Sequence, residues 1–248
     1  AFRLKEDEVA ALLDGLSEDK RSSILKLLHA GGRQDSSLLP TKIEAAPLVG
    51  DRQEKKVLKD AERISKNISS LLSKAHPEDR QHQSEIDQEL SSLRGDITHA
   101  GELEHGSAQA PFRVWFEGRT YPALFKPVKR EIQIRPGIPA GEHAAREWLG
   151  FQISRALRFD VVPPTVLRQG PEGLGVAMDW KIGVIAGTVH WKERLSDERI
   201  DEKTRQKMTV SLARIAAFDV ATKHSDRHRF NWIIGPDGEN YAIDNGTI

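Results

Sequence analysis

Before residue 105 the apolar positions recur at helical spacing; after residue 111 the period shortens to two. Val9, Leu12, Leu13 and Leu16 form one stripe. Ile24, Leu25, Leu27 and Leu28 form the next, with Ser17 as its N-cap and Gly31-Gly32 as its stop. Residues 40–50 read as a linker. Val57, Ala61, Ile64, Ile68, Leu71 and Ala75 then alternate steps of four and three, and Ile86, Leu90, Leu93 and Ile97 resume the pattern beyond Pro77. Together these stripes predict an antiparallel helical hairpin. Residues 112–116 alternate as a strand, Glu117-Gly118 turns, and 121–126 form a second strand. Pro and Gly punctuate a loop over 127–141. Residues 142–157 predict a helix with Ala145, Leu149, Ile153 and Leu157 on one face. Strands follow at 161–167 and 174–180 around a turn at 169–173. A long helix over about 202–223 turns Met208, Leu212, Ile215 and Phe218 inward, and 232–244 is a hairpin around Pro236, Asp237 and Gly238. The expected class is α+β. Residues 1–104 form a helical N-terminal region, a packing or regulatory appendage or else a partner-binding arm or a lid on the domain downstream, and residues 105–248 form a second domain.

Composition narrows the classes. Lys+Arg and Asp+Glu are equal at 37 each, so there is no electrostatic case for nucleic-acid binding or broad membrane attraction, although local basic patches remain open. The chain has no cysteine, which excludes disulfides and thiolate chemistry. No apolar run is long enough to span a bilayer and no signal peptide is visible. The expectation is a soluble cytoplasmic protein, or a secreted effector acting in a host cytoplasm. The start at Ala1 rather than Met reads as a processed or excised fragment.

Polar residues near the C-terminus carry the chemistry. Asp226 and Asn231 stand as D-x4-N on a predicted loop, and Asp244 ends the strand of the following hairpin. Two carboxylates and a carboxamide at that spacing suit a metal–triphosphate and an attacking hydroxyl. Asp226 is placed to accept the hydroxyl proton, and Asn231 and Asp244 are hard oxygen ligands for Mg²⁺ or Mn²⁺. His228, with Arg227, can lend positive charge to the transferring group; an orienting bond within the loop is the alternative for His228. His224, His228, Asp226 and Asp244 also admit a transition-metal site, but no third soft ligand accompanies the histidines. Lys126, at a strand end, can contact the α/β-phosphates of a nucleotide. Glu147 on the next helix is its expected ion-pair partner, with Glu142 one turn earlier as competitor. Ser107 precedes the first strand and could touch phosphate. Neither G-x-G-x-x-G nor G-x4-G-K-[ST] is present.

The segments DRHRFNWII and YAIDNG resemble the catalytic stretch of the phosphoinositide 3-/4-kinase-like superfamily. They are most similar to type II phosphatidylinositol 4-kinases and their small bacterial relatives. ALFKP at 123–127 is similar to that group's ATP-lysine strand, and REWLGFQISRALRFDVVPPTVLRQGP at 146–171 to its helix-then-strand segment. The likeness covers about residues 105–246. It implies a protein-kinase-like bilobal fold, with a small β lobe carrying one helix and a large lobe that is truncated, since the chain ends at Ile248. It implies Lys126 as ATP lysine, Glu147 as its partner, Asp226 as catalytic aspartate, Asn231 as metal ligand, and Asp244 as the counterpart of the DFG aspartate. Met178, Asp179 and Trp180 fall at the hinge that binds adenine.

The function expected is an ATP-dependent kinase with Mg²⁺ or Mn²⁺ that transfers the γ-phosphoryl group to a hydroxyl of a protein, an inositol lipid or a small molecule. A pseudokinase presenting its helices to a protein partner, and an enzyme that transfers AMP, are the alternatives.

Overall fold

The computed structural model describes residues 51–75, 79–103, 110–132, 138–188, 198 and 200–248. The stripes predicted before residue 51, and Ser107, lie outside the described residues. The chain is mixed α+β, with mainly antiparallel sheet and four helices among the described residues. It divides into two compact units. One includes the described part of Leu39–Lys181 together with Asn245–Thr247; the other includes Ile182–Asp244.

The first unit is a five-stranded antiparallel sheet covered by helices. Its strands are β1 (Ile97–Glu102), β2 (Phe112–Phe116), β3 (Ala123–Pro127), β4 (Thr165–Gly170) and β5 (Gly173–Asp179), in the order β1-β2-β3-β5-β4. Alternation in β2 and β3 buries Phe112, Val114, Phe116, Ala123 and Phe125. Lys126 pairs in register with Val176, and Val176 with Leu167, so these three share the opposite face. That face is covered by α1 (Asp51–Ala75) and α3 (His143–Ala156), through a cluster of Ala61, Ala144, Trp148 and Val176. Gly175 is required where β5 passes β3, because a Cβ there would stand 2.5 Å from the Lys126 carbonyl oxygen. Helix α2 (Arg80–Ser92) touches α1 through Ser69 Oγ, which donates to Asp87 at 2.9 Å. It is fastened to α3 by the buried Arg155, which donates to Gln83 and Asp87.

Three apolar stripes are corrected. In α1 the buried positions are Ala61, Ser65 and Leu72, while Val57, Ile64 and Leu71 are exposed. In α3 Ala145, Leu149 and Leu157 are exposed, and the buried face carries Ala144, Glu147, Trp148, Phe151 and Arg155. Glu147 and Arg155 sit on that face because each has a partner, Lys126 for the one and Gln83 with Asp87 for the other, which an apolar count cannot register. Ile97 opens β1 instead of extending the α2 stripe. The strand expected at 161–167 begins only at Thr165, because Pro163 and Pro164 cannot donate to a ladder.

The second unit holds β6 (Val184–Ile185), α4 (Glu202–Thr222), β7 (Trp232–Ile234) and β8 (Asn240–Ala242), the strands forming a small antiparallel sheet in that order. Asp201 caps α4 by accepting from the Thr204 amide at 2.9 Å. Met208, Ile215 and Phe218 are buried, and the Asn240 side chain ties β8 to α4 through Met208 and Ser211. No helix among the described residues is long and apolar enough to cross a membrane.

Candidate functional site

In the first unit Lys126 Nζ donates to Glu147 Oε1 at 2.5 Å, with both side chains largely buried. Glu147, not Glu142, is the partner; Glu142 is exposed and pairs with Arg146 at 2.9 Å. The second Glu147 oxygen accepts the Asn245 backbone N–H at 2.9 Å. One carboxylate therefore fixes both an ammonium and the segment that follows Asp244 in the chain. Gly246 packs closely beside it, and a Cβ there would lie 3.1 Å from the His143 ring.

Helix α3 is anchored by a residue that the sequence pattern does not reveal. Its N-cap position, Glu142, makes no side-chain cap bond. Instead the buried carboxylate of Glu131 accepts from the backbone N–H groups of Gly141, His143 and Ala144 at 2.7, 2.9 and 2.7 Å. The negative charge also complements the helix N-terminus. Glu131 thereby sets where Glu147 stands, one turn further on. Burial holds the His143 pKa below its usual value, against the pull of Glu131 and Glu147.

Of the hinge positions, Met178 and Asp179 are buried at the end of β5. The Asp179 carboxylate is taken by Arg119 and by Lys181, the latter at 2.7 Å. Arg119 also donates to Glu89 and Ser92 of α2. The Asp179 side chain is thus a structural anchor, and its backbone N–H donates to the Pro164 carbonyl at 2.8 Å. Trp180 lies beneath the Arg113 guanidinium, 5.0 Å from the ring centroid.

In the second unit the loop of Asp226 and Asn231 is knit to the end of the hairpin. His224 Nδ1 accepts the Asp226 N–H at 3.2 Å, so its Nε2 carries the proton and donates to the Asp244 carbonyl at 3.2 Å. Burial first, and then Arg227, push the His224 pKa down to about 4, which keeps the ring neutral in this tautomer. Asn231 Nδ2 donates to the Asp226 carbonyl at 2.9 Å. That bond orients the amide so that Oδ1 is left as a ligand oxygen. Asp244 is exposed and adopts φ 55°, a left-handed conformation that aspartate tolerates better than most residues. Arg227 has partners within the unit. It grips Asp219 at 3.1 Å and donates to the Asn231 and Ile243 carbonyls, clamping loop, α4 and hairpin together. His228 Nδ1 accepts the Phe230 N–H at 3.2 Å, the orienting bond within the loop.

A hard divalent cation fits this donor set. Asn231 Oδ1 and the Asp244 carboxylate would be the oxygen ligands, since Mg²⁺ commonly takes only one or two protein groups and completes its shell with water and phosphate. Among the described residues no cluster of three or more His, Cys, Asp or Glu could hold a metal, so the transition-metal alternative has no support there.

No family model matches the chain. A protein of Mycobacterium tuberculosis, Protein Rv2133c, is similar to it. The two are 28% identical over 153 residues, which make up 52% of this chain and 54% of that protein. The chain thus spans about half the length of the curated relative it matches.

Proposed function

We propose that the chain is an ATP-dependent phosphotransferase of the phosphoinositide 3-/4-kinase-like type, with a kinase-like bilobal fold. The observation that carries this reading is the buried Lys126–Glu147 ion pair, whose carboxylate also holds the amide of Asn245, directly after Asp244. A lysine fixed by a helix glutamate is what binding of the α/β-phosphates requires. In the other unit, His224 and Arg227 hold Asp226, Asn231 and Asp244 in one hydrogen-bonded assembly. Asp226 takes the acceptor hydroxyl's proton. Asn231 and Asp244 hold Mg²⁺ or Mn²⁺, which when bound neutralises charge on the phosphates. The backbone at Met178 to Trp180 meets adenine. Catalysis on this reading comes from positioning and electrostatics, not from a covalent intermediate. The acceptor is a hydroxyl of a protein, an inositol lipid or a small molecule.

ATP labelled at the α or the γ position tests it, with Mg²⁺ or Mn²⁺, inositol lipids and a protein extract, using the wild type, Asp226→Ala and Asp244→Ala. Transfer of the γ label alone, abolished in both variants, is expected. Transfer of the α label would replace phosphotransfer with AMP transfer. No transfer and no ATP-dependent thermal shift would sink both enzyme readings.

A further inference from the structure

On the helix-covered face of the sheet, a groove of about 440 Å³ lies between α1, α3 and β4. Its floor is apolar: Leu58, Ala61, Trp148 and Leu167. Its rim is basic. Lys55, Lys59, Arg94 and Arg168 line it together with one carboxylate, Glu62, which already holds Lys66 at 2.7 Å; nearby, Glu54 accepts from the lining Gln169 at 2.9 Å and Asp87 acts on Arg94. Lys55, Lys59 and Arg94 form no ion pair or side-chain hydrogen bond with any described residue. Arg168 is immobilised by neutral groups only, donating to the carbonyls of Leu93 and Gly95 at 2.6 and 2.7 Å and stacking over Phe116. Beyond those carbonyls, Asp96 is the acidic group within electrostatic reach of it. By contrast, Arg130 is matched by Glu102 and Glu172, and Lys207 by Asp237 and Glu239. In a chain of zero formal net charge, this excess is a local concentration of like charge that an anion would relieve.

We propose that the groove binds a phosphate-bearing anion with an apolar body, at a site separate from Lys126 and Glu147. Guanidinium and ammonium groups together suit a phosphate monoester or diphosphate carrying two or more charges. The apolar floor accepts the organic part, and the volume suits a single small ligand or headgroup, not a polymer. Leu167 pairs with Val176 and Val176 with Lys126, so the groove lies two strands from the lysine, about 10 Å at the usual strand spacing. The proposal stands whether or not the chain transfers phosphate.

The test uses the full chain and two probes. Sodium pyrophosphate is titrated calorimetrically. Phosphatidylcholine vesicles with and without phosphatidic acid are sedimented with the protein. The variants are Lys59→Glu/Arg94→Glu, Lys55→Gln/Lys59→Gln and, as a control on an exposed α4 lysine, Lys203→Glu; all of these side chains are exposed, and circular dichroism checks the fold. The wild type and Lys203→Glu should bind with equal affinity, and the charge reversal should weaken binding by about tenfold or more. The glutamine pair should weaken it less, and added salt should weaken all of it. Pyrophosphate binding without vesicle binding identifies a soluble ligand, whereas phosphatidic-acid-dependent sedimentation identifies a lipid phosphate. Binding of neither probe, or undiminished binding by the charge-reversed chain, overturns the proposal.

Discussion

Glu147 is the residue on which the first unit's chemistry turns, because its two oxygens serve different partners. Glu147→Ala removes the carboxylate that both the largely buried Lys126 ammonium and the Asn245 amide use. It should destabilise the chain by about 3–5 kcal/mol in urea unfolding. Glu147→Gln keeps an acceptor for Asn245 but loses the charge. It should unfold at a urea concentration between those of Glu147→Ala and the wild type, and its kcat/KM for phosphotransfer should fall about a hundredfold. Equal stability of Glu147→Ala and the wild type would show that the pair contributes nothing to the fold. A second residue-scale expectation concerns His224. Its folded pKa, about 4, lies below the ordinary 6.5, so between these values the unfolded chain binds a proton that the folded chain refuses. Stability should be full above about pH 6.5 and should decline as pH falls towards 4. Asp226, Asp244 and Arg227 face the ring, and His143 shifts in the same sense, so the informative quantity is a difference between variants. His224→Asn retains an acceptor for Asp226 and has nothing to titrate. Its loss of urea midpoint between pH 7 and pH 5 should be smaller than that of the wild type, and an equal loss would remove His224 from the account. The polar positions of the candidate site were legible from sequence because aspartate, asparagine and lysine at those spacings have few joint uses. The grips of His224 and Arg227 were not, since both act through backbone carbonyls and amides that no residue pattern encodes.

At the scale of elements, α3 shows what periodicity misses. Its sequence offers Leu149, Ile153 and Leu157 as an apolar face, yet Leu149 and Leu157 are 44% and 46% exposed. The helix buries the turn bearing Glu147, Trp148 and Phe151 because ion pairing and hydrogen bonding offset the desolvation of its polar members. Strands β2 to β5, the β7–β8 hairpin and α4 were legible to within a few residues, since period-two alternation in β2 and the Met208, Ile215 and Phe218 stripe meet one covering layer each, whereas β1 and β6 were not. The cap of α3 lay in a segment that reads only as a Pro- and Gly-punctuated loop. Glu131→Ala should therefore cost about 2–3 kcal/mol, because three backbone donors lose one charged acceptor. Amide hydrogen exchange should quicken in the first turn of α3, and kcat/KM for phosphotransfer should drop through misplacement of Glu147. Glu131→Gln, which keeps an oxygen acceptor, should recover part of both. Unchanged exchange at Ala144 in Glu131→Ala would rule out the capping role.

Across the whole chain, the decisive question is what the helices before the sheet are for. Composition suggests a break near residue 105, with a helical appendage before it. In the structure α1, α2 and β1 belong to the same unit as the sheet. Ile86, Leu90 and Leu93 are nearly or fully buried, and Leu93 and Gly95 supply the carbonyls that fix Arg168. Arg155, 1% exposed, depends on Gln83 and Asp87, and Arg119 joins α2 to Asp179 at the end of β5. A chain starting at residue 105 would lose all of these partners. Exposing surface that matches three buried aliphatic side chains costs roughly 5–9 kcal/mol, and an unpartnered buried arginine adds several more. The typical net stability of a domain is about 5–15 kcal/mol, so the loss is comparable to the whole. The 105–248 fragment should therefore show no cooperative thermal transition, reduced near-ultraviolet dichroism and strong binding of an apolar dye, whereas the full chain should melt sharply. The loss should not be rescued by ATP, since the helices support β4, β5 and α3 before any ligand binds. A fragment that melts cooperatively near the midpoint of the full chain would instead make α1 and α2 a detachable arm, free to serve a partner.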